Sequence, residues 1–107
     1  MIDIFSISTN ELVVKIRSGD ISSVDVCKAY IDRINKYEKD VKAWSFLDKK
    51  NLLEKAEEAD VYRKTGKPIG PLHGLPIAIK DIIATYDMPT ECGSILRKGI
   101  TGAADAE

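Results

Sequence analysis

Three stretches of the chain repeat apolar residues at helical spacing, and each is preceded by a side chain able to cap a helix. Ser8, Thr9, Asn10 and Glu11 form a capping box, with the acid three residues after the serine; Leu12, Val13 and Ile16 follow, and Gly19 is the stop. The pattern predicts a first helix over about residues 9–18. Cys27, Tyr30, Ile31 and Ile34 recur at i, i+3, i+4 and i+7 as one stripe, with Ser22 or Ser23 as the cap, which predicts a second helix over about 23–37. Asp48 precedes a run of strong helix formers in which Leu52, Leu53, Ala56 and Ala59 face inward, while Glu54, Lys55, Glu57 and Glu58 face water; this third helix is expected over about 49–64 and ends at Gly66.

Between the second and third helices, Val41 to Leu47 alternates only loosely, so it reads as a short strand or an extended connection, with Trp44 expected to pack between the helices. The pattern then changes. Lys67 to Pro71 cannot be helical. Leu75, Pro76, Ile77, Ala78 and Ile79 form a continuous apolar run that ends on Lys80 and Asp81. A run of this length, bounded by turn residues, predicts a strand over 75–80 buried on both faces. From Asp81 to Gly102 no period is sustained, which predicts a long ordered loop with one helical turn near Ser94, Ile95 and Leu96. Ala104 to Glu107 has the look of the first turn of a further helix.

Composition narrows the function. The 107 residues are 44% hydrophobic, with 16 basic and 17 acidic side chains and a net charge of −1. That balance gives no basic field for nucleic acid. No run approaches a membrane span, and Met1 to Phe5 carries no secretory signal, so a cytoplasmic, reducing location is expected for Cys27 and Cys92. Neither cysteine has metal-site spacing.

A lysine at the end of a buried strand delivers an amine to the rim of a sheet, where α/β proteins build their sites. Asp81 is expected to turn away into backbone hydrogen bonds, because neighbours on a strand face opposite sides. His73, the only histidine, is read as stabilising a turn. Ser94 lies outside any Gly-x-Ser-x-Gly elbow, and Cys92 has no basic neighbour before Arg97 to favour its thiolate.

The words Gly70-Pro71-Leu72-His73-Gly74-Leu75-Pro76-Ile77-Ala78-Ile79-Lys80-Asp81, then Met88-Pro89-Thr90 and Gly93-Ser94, together closely resemble the amidase signature family. Val41 to Trp44, Leu47-Asp48 and Asp105-Ala106 resemble further landmarks of its N-terminal region in the same order. The resemblance implies the N-terminal helices and first sheet strands of an α/β/α fold. It assigns Lys80 the catalytic role of base in a Ser-Ser-Lys mechanism that hydrolyses a carboxylic amide. In the family the two serines lie downstream in a Gly/Ser-rich stretch that these residues do not contain; the tandem Ser22-Ser23 has no glycine beside it and reads as a helix cap.

The chain is therefore read as an N-terminal piece of a single amidase signature domain and is expected to be inactive by itself. The resemblance implies a small-molecule amide substrate, no cofactor and no metal. It implies no direct nucleic-acid contact and no membrane association, and it allows a homodimer of the full-length parent. A stand-alone amidase is favoured over the family's amidotransferase A subunit, which acts on transfer-RNA-linked Glu or Asp; a non-catalytic interaction module is the reading from another class. A lysine base must be neutral to accept a proton, whereas free lysine titrates near about 10.4. Burial among Ile77, Ala78 and Ile79 is what would favour the neutral amine.

Overall fold

Helices start in this protein where a side chain offers an acceptor to the backbone N–H groups that no preceding turn can satisfy. The computed structural model describes residues 3–107. Helix α1 spans Thr9–Ser18 behind a complete capping box: Ser8 Oγ accepts from the Glu11 N–H at 3.2 Å and Glu11 Oε2 accepts from the Ser8 N–H at 2.9 Å. It closes on Gly19, at φ 83°, whose N–H donates to Ile16 O. A Cβ there would lie 2.8 Å from an Arg63 guanidinium nitrogen, so both the backbone angle and the space demand glycine.

Helix α2 spans Ser23–Val41 and α3 spans Lys49–Lys64. Helix α2 runs past Tyr37 because the residues after it are helix-compatible and carry no stop signal; Lys42, at φ 52°, ends it. At its start the Ser22 hydroxyl accepts from the Asp25 N–H at 2.9 Å. Asp48 caps α3 by accepting from the Asn51 N–H at 3.0 Å.

The chain divides into two units, Met1–Val41 with Asp48–Pro76, and Lys42–Leu47 with Ile77–Glu107. The first is helical. Ile4, Leu12, Ile16 and Val26 form its buried cluster, with Ile7, Ile21, Ala29, Tyr30 and Leu75 packed around it. Helices α2 and α3 pack against each other. Asp60 of α3 reaches the start of α2, where its two carboxylate oxygens accept from the Ser23 and Val24 N–H groups at 2.8 and 3.1 Å. A buried carboxylate is tolerable when it meets donors in this way.

The second unit contains no helix beyond a single 3₁₀ turn, Ile95–Arg97. A single antiparallel bridge, Pro89 to Thr101, and the Thr90 N–H donating to Ile100 O at 2.8 Å close the loop at its base. Arg97 to Ile100 is a type II turn, with Lys98 at φ −58°, ψ 125° and Gly99 at φ 77°.

The expected strand over 75–80 is not formed. Leu75 to Lys80 has no regular secondary structure, and Ile77 and Ile79 are 69% and 40% exposed. Among the described residues no segment pairs with it. A strand exists only through ladder hydrogen bonds to a neighbour, so apolar content alone does not make one. The described residues thus show helices and irregular structure but no sheet. Of the two readings of the segment before α3, the extended connection holds over residues 42–47. Two smaller expectations change. Trp44, at 38% exposed, belongs to the second unit instead of the helical core. Ala104 to Glu107 forms no helical turn, since an isolated turn is costly to nucleate and the Asp105 carboxylate accepts instead from the Tyr86 N–H at 3.0 Å.

Candidate functional site

The glycine-rich loop before the candidate lysine is tied firmly to the helices of the first unit. The His73 N–H donates to Gly70 O and the Leu75 N–H to Leu72 O, giving two overlapping turns. Gly74 sits at φ 77°, where a Cβ would come within 2.9 Å of an Ile16 methyl. Ser23 Oγ donates to Gly74 O at 2.6 Å. His73 Nε2 lies 2.8 Å from Ala59 O; a carbonyl only accepts, so that nitrogen carries the proton. The ring also lies 5.7 Å from the Tyr62 ring. His73 is thus a turn-stabilising residue with its nitrogen already engaged.

Lys80 and Asp81 belong to the second unit. Lys80 is exposed, and its carbonyl accepts from the Ile83 N–H at 3.0 Å, which turns the chain directly after the pair. Asp81 faces a different segment. Its Oδ1 accepts from the Glu91 N–H at 2.7 Å, its Oδ2 from the Ser45 hydroxyl at 3.2 Å, and its backbone oxygen from the Cys92 N–H at 2.9 Å. The Glu91 N–H above all holds the Asp81 carboxyl below the usual carboxylate range; the Ser45 hydroxyl and the Gly93 and Cys92 N–H groups add to this, against a smaller opposing effect of desolvation.

The segment that supplies these donors is a tight turn. The Ser94 N–H donates to Glu91 O at 2.9 Å, and the two central residues, Cys92 and Gly93, lie at φ 53° and 69°. Two successive positive φ values define a primed turn. The turn's first residue makes a second contact: Glu91 Oε2 accepts from the Gly99 N–H at 2.6 Å. Ser94 Oγ accepts from the Leu96 N–H at 3.3 Å and so caps the 3₁₀ turn. Cys92 is exposed, and Cys27 is buried with its thiol pushed up by that burial. Both thiols are free. Among the described residues no group of three or more His, Cys, Asp or Glu side chains could hold a metal ion.

The structure therefore joins Asp81 to the Glu91–Ser94 turn, with Lys80 its neighbour along the chain, while His73 belongs to the other unit. Asp60 and Ser45 escaped the reading of the sequence. Asp60 follows Leu52 and Ala56 at helical i+4 spacing, so its inward position was signalled and only its charge concealed it. Ser45 had no signal.

A sequence profile of the family described as Amidase matches residues 25–107. The chain belongs to the amidase family. Several similar curated proteins are A subunits of glutamyl-tRNA(Gln) amidotransferase. That of Rhodopirellula baltica is 35% identical over 99 residues, covering 92% of this chain and 20% of its own length. That of Leptospira interrogans is 44% identical over 94 residues, covering 88% and 19%. This amidase-family chain thus spans about a fifth of the length of the curated relatives it matches. Among solved structures, a chain from a vestigial protein complex bearing on the evolutionary origins of an s-triazine catabolic enzyme superposes with a TM-score of 0.83 at 30% identity, covering 94% of this chain and 22% of its own. An inhibitor-bound form of that complex gives 0.84 at 29% identity.

Proposed function

We propose that these residues are the N-terminal part of an amidase that hydrolyses a carboxylic amide, with Lys80 as the proton-relaying base of a Ser-Ser-Lys mechanism. The observation that carries this reading is the family match across residues 25–107, which includes the Lys80–Asp81 pair. Amide hydrolysis needs a nucleophile, donors for the oxyanion and a proton for the leaving amine. The relay serines are expected in the part of the family's length that this chain does not span, and so are the strands that would complete an α/β sheet around Leu75 to Lys80. No helix among the described residues is long and apolar enough to cross a membrane. A cytoplasmic enzyme acting on a small amide without a cofactor is the reading we adopt.

In the whole protein, Lys80→Ala should lower kcat for a simple amide by at least about 10²-fold while thermal melting stays near that of the parent. Near-normal turnover in a folded Lys80→Ala protein would remove the assignment. The 107-residue chain alone should hydrolyse no amide, since it has a base without the partner serines.

A second reading is favoured by the names of the relatives: the whole protein works within an amidotransferase on a transfer-RNA-linked substrate. Amide hydrolysis by the purified protein without any partner supports the first reading. Activity that appears only with glutamyl-tRNA and a partner protein supports the second.

A further inference from the structure

Asp81 is the charged residue next to the candidate base, yet its carboxylate is directed to another segment. Its oxygens accept from the Glu91 N–H at 2.7 Å and from the Ser45 hydroxyl at 3.2 Å. No ion pair joins it to Lys80 among the described residues. The turn it receives carries a non-glycine residue, Cys92, at φ 53°, followed by Gly93 at φ 69°. Such a backbone persists when its surroundings hold it, and here the holding groups are the Asp81 carboxylate on the Glu91 N–H, the Asp81 backbone oxygen on the Cys92 N–H, and the Glu91 carboxylate on the Gly99 N–H. Successive N–H groups of such a turn form a concavity that favours an anion, and Asp81 fills it from within the chain.

We infer that Asp81 is a positioning residue for the Lys80 segment: it fastens the Glu91–Ser94 turn beside the lysine and is thereby withheld from the amine as a counter-charge. The inference rests on the reading of Lys80 as the base of an amide hydrolase. Its consequence is that the backbone of Glu91 to Ser94 stands at a fixed register to Asp81, one residue along the chain from the candidate base, where a displacement of about 1 Å can cost about 10²-fold in rate.

The test compares Asp81→Ala, Asp81→Asn and Ser45→Ala in the whole protein. Three quantities are read: amide hydrogen exchange at Glu91 and Cys92, the pH midpoint for acylation of Lys80 by acetic anhydride followed by mass spectrometry, and kcat and KM for a simple amide. Asp81→Ala should speed exchange at Glu91 by at least about tenfold, since a charge-assisted hydrogen bond is lost. It should lower kcat by at least about tenfold with KM changed by less than about twofold. Asp81→Asn keeps an acceptor for the Glu91 N–H and should recover part of both losses while leaving the Lys80 midpoint in place. Ser45→Ala should give the smallest change in exchange.

Three results would overturn the inference. One is a Lys80 midpoint that falls equally in Asp81→Asn and Asp81→Ala with exchange unchanged, which makes Asp81 a counter-ion. The second is faster exchange in a folded Asp81→Ala protein with kcat and KM intact, which makes the turn merely structural. The third is unchanged exchange in Ser45→Ala and both Asp81 variants. A parent protein that cleaves no amide refutes the amidase reading instead; the exchange and acylation measurements still decide what Asp81 holds.

Discussion

In the first unit Ile16 is 1% exposed and packs with Leu12, Val26 and Ile4, whereas in the second Ile95 and Leu96 are 90% and 87% exposed. The first is ordered by apolar burial, and its polar contacts serve to end helices and to tie α2 to α3. The second is ordered by carboxylates holding backbone N–H groups: Asp81 on Glu91, Glu91 on Gly99, and Asp105 on Tyr86. Ile77, Ile82, Ile83 and Ile100 are also exposed there. Apolar content does not by itself make a core. The helical unit carries its own complement, with each stripe facing another, while the second unit carries apolar residues that no described residue covers.

Truncation should expose this contrast most strongly. Ile16→Ala should destabilise the 107-residue chain by about 2–5 kcal/mol, through lost burial and the cavity left behind. Ile95→Ser and Leu96→Ser should each change stability by no more than about 0.5 kcal/mol, because almost nothing touches those side chains. Urea unfolding followed by far-ultraviolet circular dichroism measures both. Equal losses at the two places would mean that the second unit has a core of its own.

Asp60 comes next in size. Asp60→Ala leaves the Ser23 and Val24 N–H groups without their acceptor in a buried place, and should cost about 2–3 kcal/mol. Asp60→Asn retains an acceptor and should cost less. If Asp60→Ala melts like the parent, the start of α2 is held by the Ser22 cap alone, and the tie between α2 and α3 carries no weight in the first unit.

How much of this was legible in the residues follows the same division. Ser8 with Glu11, Gly19 and Asp48 mark helix ends through contacts within a few residues, so the starts of α1 and α3 could be read locally. The end of α2 could not, because nothing in its last turn stops a helix until Lys42 adopts a positive φ. The strand expected over 75–80 was a different kind of inference. It presumed a ladder partner, and partners are not written in the segment that needs them. The same applies within the candidate site. Asp81 does enter backbone hydrogen bonds as expected, but not through the alternation of a strand, since none forms over 75–80, and the partners it meets, Ser45 and Glu91, lie 36 and 10 residues away and have no signature. The turn that receives it does carry one feature of its chemistry, a glycine at the second positive φ, whereas Cys92 at the first departs from the usual Asn or Asp.

The smallest expected effect is one of pH, and it tests whether the same chemistry has different consequences in the two units. Glu11 in the first and Asp81 in the second both have their carboxyl held below the usual range, chiefly by a backbone N–H: that of Ser8 for Glu11 and that of Glu91 for Asp81. A carboxylate of this kind binds its proton less readily folded than unfolded. Its contribution is complete above the unfolded value, about 4 for either residue, and is lost as pH falls through the depressed folded value. Protection of the Ser8 and Glu91 amides from hydrogen exchange should therefore be constant from neutrality down to that region and decline below it. The decline at Ser8 should stay confined to the first turn of α1, because Leu12 and Ile16, 3% and 1% exposed, hold the remainder of the helix without the cap. The decline at Glu91 should spread to Cys92 and Gly99, since no buried apolar cluster lies behind that turn among the described residues. Exchange measured amide by amide across this pH range decides the matter. A collapse of α1 together with its cap, or a loss at Glu91 that leaves Cys92 and Gly99 protected, would show that burial and carboxylate bonds do not divide between the units in this way.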